Sequence, residues 1–445
     1  GIETATLTGG AGVNTFTVSG WSGTGTLTGL VGSDTVVAVN DVADFTLTDT
    51  TLDRTGLGQL TLATIEVANL TGGGSANTFT VSGWSGTGTL TGLVGSDTVV
   101  AVNDVADFTL TDTTLDRTGL GQLTLATIEV ANLTGGGSAN TFTVSGWSGT
   151  GTLDGAVGSD TLIGPNAANT WNITGGNIGN ITGSVSFTGM ENLTGGTLTD
   201  TFTGAGGSIA GALTDAAGTS TLNSTLSVGS ANITGAVTLG SNTAITTSGG
   251  GNIVFGSTVD GAGNTLGLTA GAGSITFTGA VGGGGALGAI TINSAFNVTA
   301  TAITAASLTQ SAGTGTTTLN GVVTTTGATS ITTTTFTNNS TVNATGLTVN
   351  AGTLTLGGVN VGAGTITVNT GGVPLDVGTL DAGALTAGTL SVTSGAMTAG
   401  SSLTFAGTLT LNSSGTITGA AGIQGTTLTL SGSSIGSATT ALTLG

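Results

Sequence analysis

The sequence predicts an all-β fold, a parallel β-helix (β-solenoid) built from coils of about 20 residues, on three observations. First, residues 14–76 recur without a change as residues 77–139, a period of 63. Second, Gly fills 85 of the 445 positions and Thr is abundant, while Pro occurs twice and charged residues make up 5%. Third, apolar dyads split by one small or polar residue run through the second half, as in Leu266-x-Leu268, Ile275-x-Phe277 and Leu409-x-Leu411. Thr, Val and Ile suit a half-buried pleated surface, and Gly supplies the corners between strands. Disordered chains are poor in β-branched residues and rich in Pro, so this composition reads as ordered.

The 63-residue unit has its own internal order. Alternation in Phe16-x-Val18, Phe45-x-Leu47 and Leu60-x-Leu62 predicts strands at about 15–19, 25–31, 34–39, 44–49 and 58–71, with Gly, Asn and Asp turns between them. Division of the period by three gives coils of about 21 residues. A third, divergent copy occupies 140–202 and introduces Pro165 and Trp171, yet Glu191-Asn192-Leu193-Thr194-Gly195-Gly196 closes it as Glu66 to Gly73 closes the first. Residues 1–202 are therefore expected to form an acidic, 63-residue-periodic solenoid. Residues 203–445 are expected to continue it as a Gly/Thr/Ala-rich, nearly uncharged solenoid, with Gly282–Gly285 as a corner or break. Of the 21 carboxylates, 17 lie in residues 1–200 and four beyond: Asp215, Asp260, Asp376 and Asp381. Both ends fall in mid-pattern, which suggests an excerpt of a longer chain or ends that dock on other copies. Stacked to the end, such coils would make one rod on the order of 100 Å long.

The dyad text over 203–445, such as Leu266 to Gly271 leading into Ile275-Thr276-Phe277, and Leu347 to Gly352 leading into Leu354, resembles the repeats of filamentous haemagglutinin-type exoproteins. The Asn-Leu-Thr-Gly-Gly and Asn-Thr-Phe phrases of the first 200 residues are similar to the β-strand repeats of very large bacterial surface proteins. The resemblance implies right-handed parallel β-helices and an extracellular or cell-surface location. The amino-terminal secretion domain of the exoproteins is not in this stretch.

Charge and composition exclude several roles. Arg54 and Arg117 are the only cations, against a formal net charge of −19, so neither nucleic acid nor an anionic membrane is an expected partner. No apolar run approaches the ~18 residues of a spanning helix, and no insertion into a membrane is expected. Without Cys or His, thiol and Ser–His nucleophilic catalysis are ruled out. Carboxylates alone can cleave sugars, which directs attention to Asp41, Asp44, Asp49 and Asp53 beside Arg54, repeated as Asp104, Asp107, Asp112 and Asp116 beside Arg117. A site duplicated verbatim is better read as a solvated acidic edge. The chain is thus expected not to be an enzyme, with no catalytic, cofactor or metal residues assigned.

Gly32-Ser33-Asp34 and its copies resemble part of a calcium-binding β-roll motif, and the Asp clusters could hold Ca²⁺. Turn chemistry, in which Asp bonds its own backbone nearby, is the preferred reading. Trp21, Trp84, Trp147 and Trp171 are either a sugar-stacking stripe or interior filling. Asn69-Leu70-Thr71 fits a glycosylation pattern but reads better as a ladder residue. The expected role is a structural filament, matrix or adhesin shaft that self-associates end to end or laterally. A glycan- or receptor-binding adhesin module is the second reading. An ice-binding solenoid, suggested by Thr332 to Thr335, and a polysaccharide-degrading β-helix follow.

Overall fold

The computed structural model describes residues 1–39, 44–102, 107–215 and 218–360, and from 361 onward only strand segments; side chains are described through Leu354, at Val359 and over 366–369. No helix occurs among the described residues. Parallel coils about 20 residues apart stack into a β-solenoid, as the repeats predict. The chain forms two compact units, one of residues 1–200 and 205–211, the other of 201–204 and 212–445.

In the first unit the strands up to the end of the first repeat are β1 (Thr4–Thr8), β2 (Thr15–Thr17), β3 (Thr24–Thr28), β4 (Thr35–Val39), β5 (Phe45–Thr48), β6 (Thr51–Arg54), β7 (Leu60–Ala63) and β8 (Val67–Thr71). The second repeat supplies β9 (Thr78–Gly83), β10 (Thr87–Thr91), β11 (Thr98–Val102), β12 (Phe108–Thr111), β13 (Thr114–Arg117), β14 (Leu123–Ala126) and β15 (Val130–Thr134). The third supplies β16 (Thr141–Gly146), β17 (Thr150–Asp154), β18 (Thr161–Ile163), β19 (Asn169–Gly175), β20 (Ile178–Ile181), β21 (Val185–Thr188) and β22 (Asn192–Thr194).

These strands build two ladders. One climbs β1-β3-β7-β6-β5-β9-β11-β15-β17-β21-β20-β19. The other climbs β2-β4-β8-β10-β14-β13-β12-β16-β18-β22. Beyond the exposed β1, buried residues alternate with more open ones along the strands, as in Val36 and Ala38 of β4 or Phe79 and Val81 of β9. The strand period of two thus gives each ladder one inward face.

The three-coil division of the repeat is corrected by this topology. Each 63-residue unit holds seven strands, because β5-β6-β7 and their copies fold into antiparallel meanders inserted in a parallel stack. The stretch read as one strand over 58–71 is β7, a corner at Thr64, and β8. Local chemistry makes the reversals. Thr48 Oγ1 accepts the N–H groups of Thr50 and Thr51 at 3.2 and 2.9 Å, closing the β5–β6 turn. Between β6 and β7, Leu57 N–H donates to the Arg54 carbonyl at 2.7 Å around Gly56, whose φ of +82° few other residues adopt. Stacked rings mark the top of each meander: Phe45 lies 5.3 Å from Phe79 and Phe108 lies 5.1 Å from Phe142.

The second unit is three-sided. Its strand Thr219–Ile233 bends through three legs, which pair with Ala236–Leu239, Thr243–Thr247 and Ile253–Phe255. Val237, Val259, Val281 and Ile303 then stack at 22-residue intervals, continued by Val323, Val342 and Val359. A second ladder carries Ile245, Leu268 and Ile292; a third carries Ile253, Ile275 and Val298, with Phe255 stacked on Phe277 at 5.2 Å. The apolar dyads Leu266-x-Leu268, Ile275-x-Phe277 and Ile290-x-Ile292 are inward residues of these legs, whereas the side chains of Leu409-x-Leu411 lie outside the described residues. The Gly282–Gly285 run forms a corner, where Gly284 and Gly285 N–H groups donate to Asp260 Oδ1 at 2.8 and 3.1 Å.

Candidate functional site

The polar chemistry of the first unit is concentrated at the edges, where the chain passes from one ladder to the other. There the repeats build a column of three side chains from three successive coils. Gly73 N–H donates to Asn77 Oδ1 at 2.7 Å, Asn77 N–H donates to Asp97 Oδ1 at 2.7 Å, and Asp97 N–H donates to Glu129 Oε2 at 2.9 Å. The first copy repeats this through Gly10, Asn14, Asp34 and Glu66. The third does so through Gly136, Asn140, Asp160 and Glu191. Asp34, Asp97 and Asp160 are wholly buried. The expectation of a local Asp turn is therefore corrected: the acceptor serves a backbone group 20 residues upstream, and so joins coils rather than closing its own loop. Burial pushes the Asp97 and Asp160 carboxyls above the usual range, against the pull of the Asn77 and Asn140 N–H groups, with Glu129 and Glu191 respectively adding repulsion.

Asp44, Asp49, Asp107 and Asp112 behave alike, whereas Asp53 and Asp116 are half-buried on β6 and β13. Asp44 Oδ1 accepts from Thr78 N–H at 2.7 Å and Asp49 Oδ1 from Ser85 N–H at 2.6 Å. Asp107 and Asp112 hold Thr141 and Ser148 in the same way. These side chains are exposed, as the reading of a solvated edge requires, but each also pins the next coil. Asp41 and Asp104 lie outside the described residues. Among the described residues no group of three His, Cys, Asp or Glu converges on one point.

Arg54 and Arg117 are not part of that solvated edge. Both are wholly buried and aim inward from β6 and β13. Arg54 Nη1 donates to the carbonyls of Val18 and Trp21 at 3.0 and 2.8 Å, and Nη2 to Gly58 at 2.9 Å. Arg117 reaches Val81 and Gly121 at 2.8 and 3.3 Å. The planar fork of five donors suits this carbonyl-lined end of the interior. Burial lowers both guanidinium pKa values from the ordinary range, opposed by Asp53 for Arg54 and by Asp49 and Asp116 for Arg117.

Trp84, Trp147 and Trp171 are interior filling, each at most 3% exposed. Their indole N–H groups donate to the Thr87 carbonyl, the Thr150 carbonyl and Asp200 Oδ1. Trp21 is half-buried and donates to the Ile2 carbonyl at 3.0 Å, so a stripe of four open indole faces is not formed. Asn69 Oδ1 accepts from Thr89 N–H at 3.1 Å, the ladder role read from its sequence. Sequence reasoning marked Asp34, Asp97 and Asp160 as repeat positions but missed their Asn and Glu partners. The signal was present as conserved spacing within the chain: Asn and Asp 20 apart, Asp and Glu 31 or 32 apart. No protein-family model matches the chain, and no curated protein is found to be similar to it.

Proposed function

We propose that this chain is a structural segment of an extracellular or cell-surface filament or adhesin stalk, of the kind represented by filamentous haemagglutinin-type exoproteins. One observation carries the reading: the repeat-encoded polar side chains at the edges are engaged by backbone groups of neighbouring coils. Asp97, Asp44, Asp49, Arg54 and Arg117 all serve stacking in this way, while Asn77 closes the loop of its own coil. Such a chain gains length by adding coils, each stabilised by its neighbours. Where cations are so few and the two present are buried, anionic partners gain no attraction, which supports self-association or a neutral partner over nucleic acid or anionic lipid.

Electron microscopy and fibre diffraction of the full native chain test the reading. Expected are elongated particles or fibres with an axial repeat of about 4.8 Å. Release of sugars from a polysaccharide panel, abolished by Asp49→Asn with Asp112→Asn, would replace the stalk by an enzyme.

A further inference from the structure

The Asn–Asp–Glu columns leave one atom unexplained. In Asp34, Asp97 and Asp160, Oδ1 accepts a backbone N–H, but Oδ2 is sealed from solvent and receives no hydrogen bond. Its surroundings are the same in each copy. A Cβ placed on Gly92 would lie 2.4 Å from Asp97 Oδ2 and 2.2 Å from the carbonyl oxygen of Thr127. On Gly29 it would meet Asp34 Oδ2 at 2.4 Å and the Thr64 carbonyl at 2.1 Å; on Gly155, Asp160 Oδ2 at 2.8 Å and the Gly189 carbonyl at 2.1 Å. A carboxyl oxygen and a backbone carbonyl oxygen thus share one closed niche over a glycine. Both oxygens lie against the same glycine, and a sealed carboxyl oxygen without a partner costs on the order of 1–3 kcal/mol.

The chemistry that resolves this is a hydrogen between the two oxygens. We propose that Asp97 and Asp160 are proton-binding sites, each holding a proton on Oδ2 and donating it to the Thr127 and Gly189 carbonyls, so that acid tightens the stack in the second and third repeats. Oδ1 keeps its backbone N–H in either protonation state. The charged groups facing each site point the same way. Glu129 caps the Asp97 N–H, and Glu191 caps that of Asp160 with Asp154 nearby, so all charged neighbours of the two carboxyls are negative. No cation offsets them, and protonation removes both the repulsion and the burial of charge.

The chain contains its own precedent for a neutral group in this setting. Asn77 and Asn140 occupy the equivalent loop position one coil earlier, almost fully buried, with a side-chain oxygen on a backbone N–H. An amide has the shape of a protonated carboxyl and carries donor hydrogens. A folded-state pKa above that of the unfolded chain makes the folded form the better proton binder. Stability from these sites is then complete below the unfolded pKa and is lost as pH rises through the folded one.

The double variant Asp97→Asn/Asp160→Asn in the full chain tests this, beside Asp97→Ala/Asp160→Ala. Thermal unfolding is followed from acid to neutral pH. Infrared difference spectra between wild type and the Asn variant report protonated carboxyl groups directly. The expected result is a Tm for the Asn variant that matches wild type in acid and exceeds it by several degrees at neutral pH. A protonated-carboxyl band is expected in wild type at pH values where free Asp is ionised, and is lost in the variant. The Ala variant removes the Oδ1 acceptor as well and is expected to unfold earlier at every pH. An Asn variant less stable than wild type by the same margin at every pH, with no such band, would overturn the proposal. So would a rise in wild-type Tm on adding Ca²⁺ or Na⁺ that the Asn variant lacks, since the niche would then hold a metal cation. If the Asn variant fails to fold, the wild-type band alone decides: its absence at mildly acidic pH refutes the protonated site.

Discussion

Replacing Arg54 by Met tests whether the buried guanidinium holds the edge together. Met keeps most of the apolar stem and deletes the fork. Four carbonyls lose a donor: Val18, Trp21 and Gly58, at 3.0, 2.8 and 2.9 Å, and Gly23 at 3.5 Å. The Val18 carbonyl also accepts from Trp21 N–H at 3.2 Å and stays satisfied. Trp21 and Gly58 are the main losses, each a part-buried acceptor left without its donor, at about 1–3 kcal/mol each. Against this stands the relief of a buried charge whose Nε has no partner, worth on the order of 1–3 kcal/mol. The loss of two acceptors outweighs one stranded donor, for a net destabilisation of about 2 kcal/mol. In a unit of this size that corresponds to a fall in Tm of roughly 4–8 °C. Circular dichroism measures the transition, and hydrogen exchange should show faster exchange confined to residues 18–23 and 55–59. Arg54→Lys keeps the charge but not the fork, and is expected to lose comparable stability. A Met variant as stable as wild type, with unchanged exchange in both loops, would show that the guanidinium is tolerated rather than needed.

Other changes have definite expected outcomes. Phe79→Ala empties the place beneath the ring of Phe45, 5.3 Å away, and should cost about 3–5 kcal/mol in chemical denaturation. Gly88→Ala puts a methyl 1.9 Å from the Ala68 carbonyl oxygen, so the β8–β10 pairing must open, with a loss of about 1–3 kcal/mol in the same assay. Asn77→Ala leaves the Gly73 N–H without its acceptor and should lower stability by about 1–2 kcal/mol, whereas Asn69→Ala, at a half-buried position, should cost less. Deleting residues 14–76 as a block should leave a cooperatively unfolding protein, because β1 is followed by the same text at 77–139; deleting 14–45 should not.

The solenoid was legible because period and alternation are both written in apolar residues. Phe16, Leu47, Leu62 and the dyads Leu266-x-Leu268 and Ile275-x-Phe277 prove to be inward. What could not be read was the path between the strands. β6 escapes notice because its inward positions are Leu52 and Arg54, and a buried Arg breaks the apolar alternation that marks a strand. Once β6 is missing, 63 divides conveniently by three and the meander disappears. The number of sides was equally hidden, since period-two alternation fixes which residues face inward but not how many corners a coil turns. The Asn–Asp–Glu columns were obscured for a different reason: their contacts lie 20 and 32 residues apart, while turn rules describe hydrogen bonds to the next few residues.

The odd strand count of the repeat has a geometrical meaning. Seven strands shared between two ladders turn a translation of 63 residues in sequence into a screw operation in space, a half-turn with a rise of roughly 17 Å. Identical text therefore appears on alternating sides of the first unit. The exposed tip Leu30-Val31 joins β3 to β4 at one edge, and its verbatim copy Leu93-Val94 joins β10 to β11 at the opposite edge. A unit built this way is two-sided: whatever one repeat presents to a neighbour on the left, the next presents on the right. Loss or gain of a single repeat would then exchange left for right in the coils of the first unit that follow, whereas a pair of repeats would change length alone.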